Sequence, residues 1–280
     1  AAAASPFPSQ TTCFIPNAGR TSGSPDPAGE SAVPNLPAHI ALAHETAQRL
    51  AHPVLEANMG YYLLGSTSPD IRIITRGRRE EYHFAPLEFD SIGSGVKRLF
   101  DAYPHLRTTL VDDGPDQAFV AGYLTHLIAD ETWIVDMYRP YFGNSDVYDD
   151  ETRGKVMDRA LQLEMDRQAW DTVDATLGLM ADAGGRIDVG FISSETLAKW
   201  RPWVVKFLSS GFSWERLKFM AKRIAAGDDG HSAHDLANGF IDEIPRSLEE
   251  LYRVVPESKL VTYKKQAREA LEATVADYLS

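Results

Sequence analysis

In Gly122-Tyr123-Leu124-Thr125-His126-Leu127-Ile128-Ala129-Asp130 an imidazole and a carboxylate stand four residues apart. On a helix that spacing puts both on one face, and a His–carboxylate pair on a rigid element suits a borderline divalent cation. Gly122, one turn earlier, is read as leaving that face open. A polar face meeting solvent, or a capping contact, would use the same residues. The flanking side chains are almost wholly apolar, however, and a buried polar or charged group without partners is costly. On this segment alone, metal binding and structural pairing both stand open. Asp70 closes Gly65-Ser66-Thr67-Ser68-Pro69-Asp70, where a loop carboxylate can point into a cleft or serve as an Asx-turn or helix cap. His83 lies between Tyr82 and Phe84, shortly before Pro86, in a segment read as non-helical. His39 ends Leu36-Pro37-Ala38-His39 at the start of an amphipathic helix; taken alone, such a His reads as structural.

The elements that must position these groups read as helices. Apolar spacing predicts helices over Val54–Leu64, Ala118–Tyr141, Asp150–Ala183, Ser194–Leu208, Trp214–Ala226, His234–Val255 and Lys259–Tyr278, with Gly184–Gly185 as a stop signal. Strand alternation is rare, and Asp70–Thr75 is its best candidate. No internal repeat occurs. The fold class is all-α, a globular domain of about seven helices with a site between them. Residues 1–36 differ, since seven of the 16 prolines fall in the first 37 positions amid Ala, Ser, Gly and Thr. Such a stretch buries too little to offset its ordering entropy. Residues 1–35 are accordingly read as a disordered tail and 36–280 as the folded domain.

Composition narrows the function. A formal net charge of −12 opposes a nucleic-acid docking surface, which needs Lys and Arg to neutralise phosphates. A small anionic substrate is compatible with it, because a bound cation outweighs local acidity within a cleft. Cys13 is the only cysteine, so an intrachain disulfide and a thiolate metal site are both excluded. No apolar run approaches the roughly 18–20 residues that span a bilayer, and no signal peptide is visible. The expectation is a cytoplasmic protein, or a secreted one if a signal has been removed. Oligomeric state is not legible.

Taken in order, Leu36-Pro37-Ala38-His39, the Gly65–Asp70 loop, His83 and the Gly122–Asp130 helix resemble the zinc-dependent phospholipases C across roughly residues 36–142. The resemblance implies a helical fold shared with single-strand nucleases, and up to three zinc ions that hydrolyse phosphodiesters. His83, His126 and Asp130 would hold one ion, Asp130 would bridge to a second shared with His39, and Asp70 would be a ligand or the base that deprotonates water. Three departures matter. The family's secreted enzymes use an N-terminal Trp as a ligand, whereas Ala1 stands here with a long stretch before His39. The His that follows the motif's Asp is missing from Glu131-Thr132-Trp133-Ile134-Val135-Asp136; Asp136 is a substitute about 240° around the helix. The nearest match to a later His-x-x-x-Glu pair is His231 with Asp235, after a glycine-rich loop. One or two Zn2+ ions are therefore expected rather than three.

Other residues carry less. His44 and His52 read as structural or exposed, and Trp200, Trp203 and Trp214 as packing for the C-terminal helices. Arg72, Arg76, Arg78 and Arg79 could grip a phosphate bidentately, or form a solvated loop beside Glu80 and Glu81. Nothing after residue 145 carries a chemical signature. The leading expectation is a hydrolase of a phospholipid headgroup or another small phosphodiester, with Asp70 catalytic and no nucleic-acid partner. A metallohydrolase of the same fold with another substrate competes with it, as does a non-catalytic helical protein with a structural metal.

Overall fold

In the computed structural model, residues 35–108, 114–184 and 187–280 are described. Residues 1–34, most of the expected tail, lie outside them. Helix α1 (Leu36–Leu50) starts with Pro37 in its first turn, and buries Leu36, Ile40, Ala43 and Ala47 at helical spacing. It ends at Ala51 in the left-handed region, φ 46°. The expected Val54–Leu64 helix is two pieces, α2 (Pro53–Ala57) and α3 (Met59–Gly65), broken at Asn58. The His52 imidazole caps α2 by accepting from the Val54 amide.

The expected strand at Asp70–Thr75 is absent. Ser66, Thr67 and Ser68 turn their hydroxyls back onto the Leu63 and Leu64 carbonyls and close α3. Pro69 then opens a 3₁₀ turn, Ser68–Ile71, that runs into α4 (Arg72–Thr75). No strand occurs among the described residues, so a strand here would have left its backbone groups without partners. His83 is also helical, as the last residue of α5 (Arg79–His83). The restriction imposed by Pro86 reaches only Ala85, and the chain leaves α5 through Phe84 at φ 58°.

Next come α6 (Ser94–Ala102), α7 (His105–Thr108) and α8 (Gly114–Trp133). The continuous helix expected over Ala118–Tyr141 changes at Trp133 into a π-helical segment, Ile134–Phe142, that contains Pro140. Proline offers no amide hydrogen to an α ladder. Helix α9 (Glu151–Asp182) matches its expected bounds closely and is capped by Asp150. It is followed by α10 (Ser194–Ser209), α11 (Arg216–Ile224), α12 (Ser232–Asp242), α13 (Arg246–Val254) and α14 (Glu257–Leu279). The helix expected over His234–Val255 divides into α12 and α13 at Glu243–Pro245. The class is all-α as expected, with more and shorter helices than periodicity suggested.

Helix α8 is the hub. It packs against α1, α3, α6 and α14, and every residue from Asp116 to Trp133 is buried. Helix α9 runs along α1, α3, α10, α11 and α12. The α3–α8 crossing is a backbone contact made through glycines. A Cβ on Gly122 would sit 1.8 Å from the Tyr62 carbonyl oxygen, and one on Gly65 2.0 Å from that of Phe119. Gly122 therefore brings α8 against α3; it does not open a face for ligands. Among the described residues no helix is long and apolar enough to cross a membrane.

Candidate metal centre

Four separate elements deliver one cluster. His39 comes from the first turn of α1, Asp70 from the 3₁₀ turn, His83 from the end of α5, and His126 with Asp130 from α8. His39, His126 and Asp130 offer ligand atoms within 4.8 Å of one another, and so do Asp70, His83 and His126. His39 Nε2 lies 3.2 Å from Asp130 Oδ1; His83 Nε2 lies 3.2 Å from Asp130 Oδ2 and 3.9 Å from Asp70 Oδ1. The His39 and His126 rings stack at 3.7 Å. The three imidazoles and Asp130 are buried, while the Asp70 side chain is 17% exposed and marks the open side.

The surroundings fix each group. His126 Nδ1 is 2.9 Å from the Ser66 carbonyl, so that nitrogen donates and Nε2 keeps its lone pair for the cluster. That lone pair faces His83 Nε2 at 3.3 Å and Asp130 Oδ2 at 3.6 Å. Such an arrangement calls for positive charge, either a proton or a cation. The Tyr123 hydroxyl donates to the Tyr82 carbonyl beside His83. Trp200 Nε1 donates to Thr67 Oγ1 (3.1 Å) and braces the turn that carries Asp70. Helix α1 has no side-chain cap of its own. Asp166 of α9 supplies one, accepting from Asn35 Nδ2 (3.0 Å) and from the Ala38 amide next to His39.

Electrostatics favour the ligating forms. Burial, with Arg79 adding to it, pushes His83 down to about 3. Burial and the neighbouring His126 also hold His39 below its ordinary value. At neutral pH both imidazoles are uncharged, as metal binding requires. Burial opposes the charge on Asp130, but His126 and Arg79 outweigh it and keep the carboxyl well below the usual range. His126 is raised: burial pushes it down, and the Asp130 carboxylate more than offsets that. The proton drawn to His126 answers the same demand that a cation would. Three buried imidazoles, the buried Asp130 and the partly exposed Asp70 are a donor set that fits a zinc-like divalent ion.

Other sequence candidates lie apart. Asp136, partly buried in the π segment, joins neither ligand group, and neither do His231 and Asp235. His231 is the N-cap of α12, accepting from the Ala233 amide, and Asp235 is exposed. His44 is partly buried on α1. Of the four arginines only Arg79 is buried, with Nη2 2.8 Å from Asp130 Oδ2; Arg78 is exposed beside Glu81. Trp200 and Trp203 stack on each other on α10, and Trp214 meets Phe240 of α12.

Several residues at the site's edge escaped sequence reasoning. On α9, Asp158 accepts from Trp133 Nε1 (2.9 Å) and from Gln162 Nε2 (2.8 Å), and Arg159 donates to Gln162 Oε1 (2.6 Å). A stripe of Asp158, Gln162 and Asp166 among apolar neighbours was the available signal. Glu131 accepts from the Gly93, Ser94 and Gly95 amides and so anchors α6 beside the cleft.

Fold and site together define an all-α protein with a buried His/Asp centre suited to a divalent metal. Residues 38–133 match the sequence model of the family described as zinc dependent phospholipase C, and that span holds all five centre residues. No curated protein and no solved structure matches the chain.

Proposed function

We propose that this protein is a zinc-dependent hydrolase that cleaves a phospholipid headgroup or another small phosphodiester of the phospholipase C type. The observation that supports this most is that His39, His126 and Asp130, and Asp70, His83 and His126, form two ligand groups sharing His126 within the matched span, with only Asp70 partly exposed. His39, His83, His126 and Asp130 would hold the ion, with Asp70 beside it. A bound divalent ion supplies Lewis-acid polarisation of a phosphoryl oxygen and lowers the pKa of a water molecule. The chain does the rest. Asp130 stays anionic between His39, His83 and Arg79. Asp70, on the exposed side and beyond hydrogen-bond range of His83, is free to take the proton of the attacking water. Burial of the imidazoles keeps the surroundings poor in water, which strengthens every charge interaction at the phosphoryl group.

The test is release of a phosphorylated headgroup from phosphatidylcholine vesicles, and of a chromogenic alcohol from a soluble phosphodiester. Turnover should vanish on chelation and return with zinc. No zinc-dependent cleavage across such a panel would contradict the reading. A second reading, a structural metal without catalysis, draws support from the departure of Asp136, His231 and Asp235 from the cluster. Asp70 separates the two readings, because a purely structural centre has no use for its partly exposed carboxylate.

A further inference from the structure

We propose that the centre takes a single divalent ion, and that the Arg79 guanidinium is the site's second positive charge, holding an anionic oxygen of the phosphodiester. This rests on reading the centre as one that hydrolyses phosphodiesters.

The two ligand groups share His126. Its Nδ1 is committed to the Ser66 carbonyl, which leaves one lone pair on Nε2, and one lone pair binds one ion. The groups are thus overlapping outlines of one site. Asp130 is the carboxylate that would have to bridge a pair of ions. Its Oδ1 faces His39, and its Oδ2 already faces both His83 and the Arg79 guanidinium. A second ion on that side would have to displace a guanidinium that is 8% exposed and lined up on its carboxylate.

Charge points the same way. Asp70 and Asp130 bring two negative charges and Arg79 one positive. One divalent ion leaves the centre at net +1, matched to a phosphodiester anion. Two ions would leave +3 in a dry site, an arrangement that burial penalises heavily. Arg79 is also equipped for the task. Only part of its five-donor fork is engaged by Asp130, and its buried Nε makes no hydrogen bond. A planar fork of this kind suits phosphate oxygens. Arg76 and Arg78 stand exposed on the nearby surface and make no such pairing with the centre.

The experiment titrates metal-stripped full-length protein with zinc by calorimetry and native mass spectrometry. Inorganic phosphate is then titrated into the zinc-loaded protein, wild type beside Arg79→Gln. One zinc per chain is expected, and phosphate binding weakened about 10- to 100-fold in the variant, the usual worth of a charge-assisted contact. Two or three zinc ions per wild-type chain would overturn it while leaving the hydrolase reading intact. So would phosphate binding that is unchanged in Arg79→Gln or absent from the zinc-loaded wild type. No zinc uptake at all would sink the hydrolase reading, and this inference with it. The wild-type zinc stoichiometry and wild-type phosphate titration need no variant, so either can still overturn the inference if Arg79→Gln fails to fold.

Discussion

Replacing Asp70 with Asn separates chemistry from metal retention. Asp70 Oδ1 lies 3.9 Å from His83 Nε2, beyond hydrogen-bond range, and the side chain is the exposed member of the cluster at 17%. Asn fills the same volume and keeps hydrogen-bonding capacity, but loses the charge and the basicity. Three imidazoles and Asp130 remain to hold the ion. General-base catalysis is worth roughly 10²–10⁴-fold, equivalent to about 2.7–5.5 kcal/mol of transition-state stabilisation at 1.36 kcal/mol per tenfold. The kcat of Asp70→Asn on a soluble phosphodiester should fall by about that factor. Zinc content by elemental analysis should stay near the wild-type level, and the thermal midpoint should hardly move. The assay runs both proteins at saturating zinc, so weaker binding cannot pass for slower chemistry. Full activity in Asp70→Asn would show that Asp70 is a turn residue and that the proton goes elsewhere. Loss of zinc in parallel with activity would make Asp70 an essential ligand and refute its role as base.

Gly122→Ala should destabilise the protein by about 3 kcal/mol or more, because its Cβ would meet the Tyr62 carbonyl at 1.8 Å and must push α8 off α3; thermal unfolding measures it, and an unchanged midpoint would refute the contact. Asp166→Ala removes the cap that α9 gives α1, so urea unfolding should show a loss of about 1–3 kcal/mol, with weaker zinc binding through His39; intact zinc affinity would detach the cap from the centre. Burial pushes Asp158 up to about 7. A raised carboxyl contributes stability that is present below the ordinary carboxylate range and is lost as pH rises through about 7. Asp158→Asn should therefore flatten the fall in stability between about pH 4 and 7, and an unchanged slope by urea unfolding would contradict this.

The residues legible in the sequence were those whose grouping is local. His126 and Asp130 announce themselves because four residues on a helix are one turn. His39, Asp70 and His83 followed from order and residue type, matched to a family pattern rather than deduced from packing. Long-range geometry was not legible. Arg79 looked like its three neighbouring arginines, and only the docking of α5 against α8 sets its guanidinium on Asp130. Asp158 and Asp166 drew no reading from the sequence, because only the packing of α1 and α8 against α9 buries them and gives them partners. The long helices came through well; the short α4, α5, α6 and α7 and the helix breaks did not. Asn58 and Pro245 interrupt runs whose apolar periodicity continues across them, and the turn at Ser68–Ile71 owes its shape to hydroxyl caps that compete with a β-branched run.

In the proposed site His39, His83, His126 and Asp130 would hold a metal, Asp70 would take the proton of the attacking water and Arg79 would hold a phosphate oxygen. That arrangement is tested most directly by elemental analysis of protein purified without added metal or chelator, wild type beside His126→Ala. Stoichiometric zinc is expected in the wild type and almost none in His126→Ala, which loses the one side chain shared by both ligand groups. A wild-type protein with only trace divalent metal, or a His126→Ala variant that keeps its full complement, would contradict it.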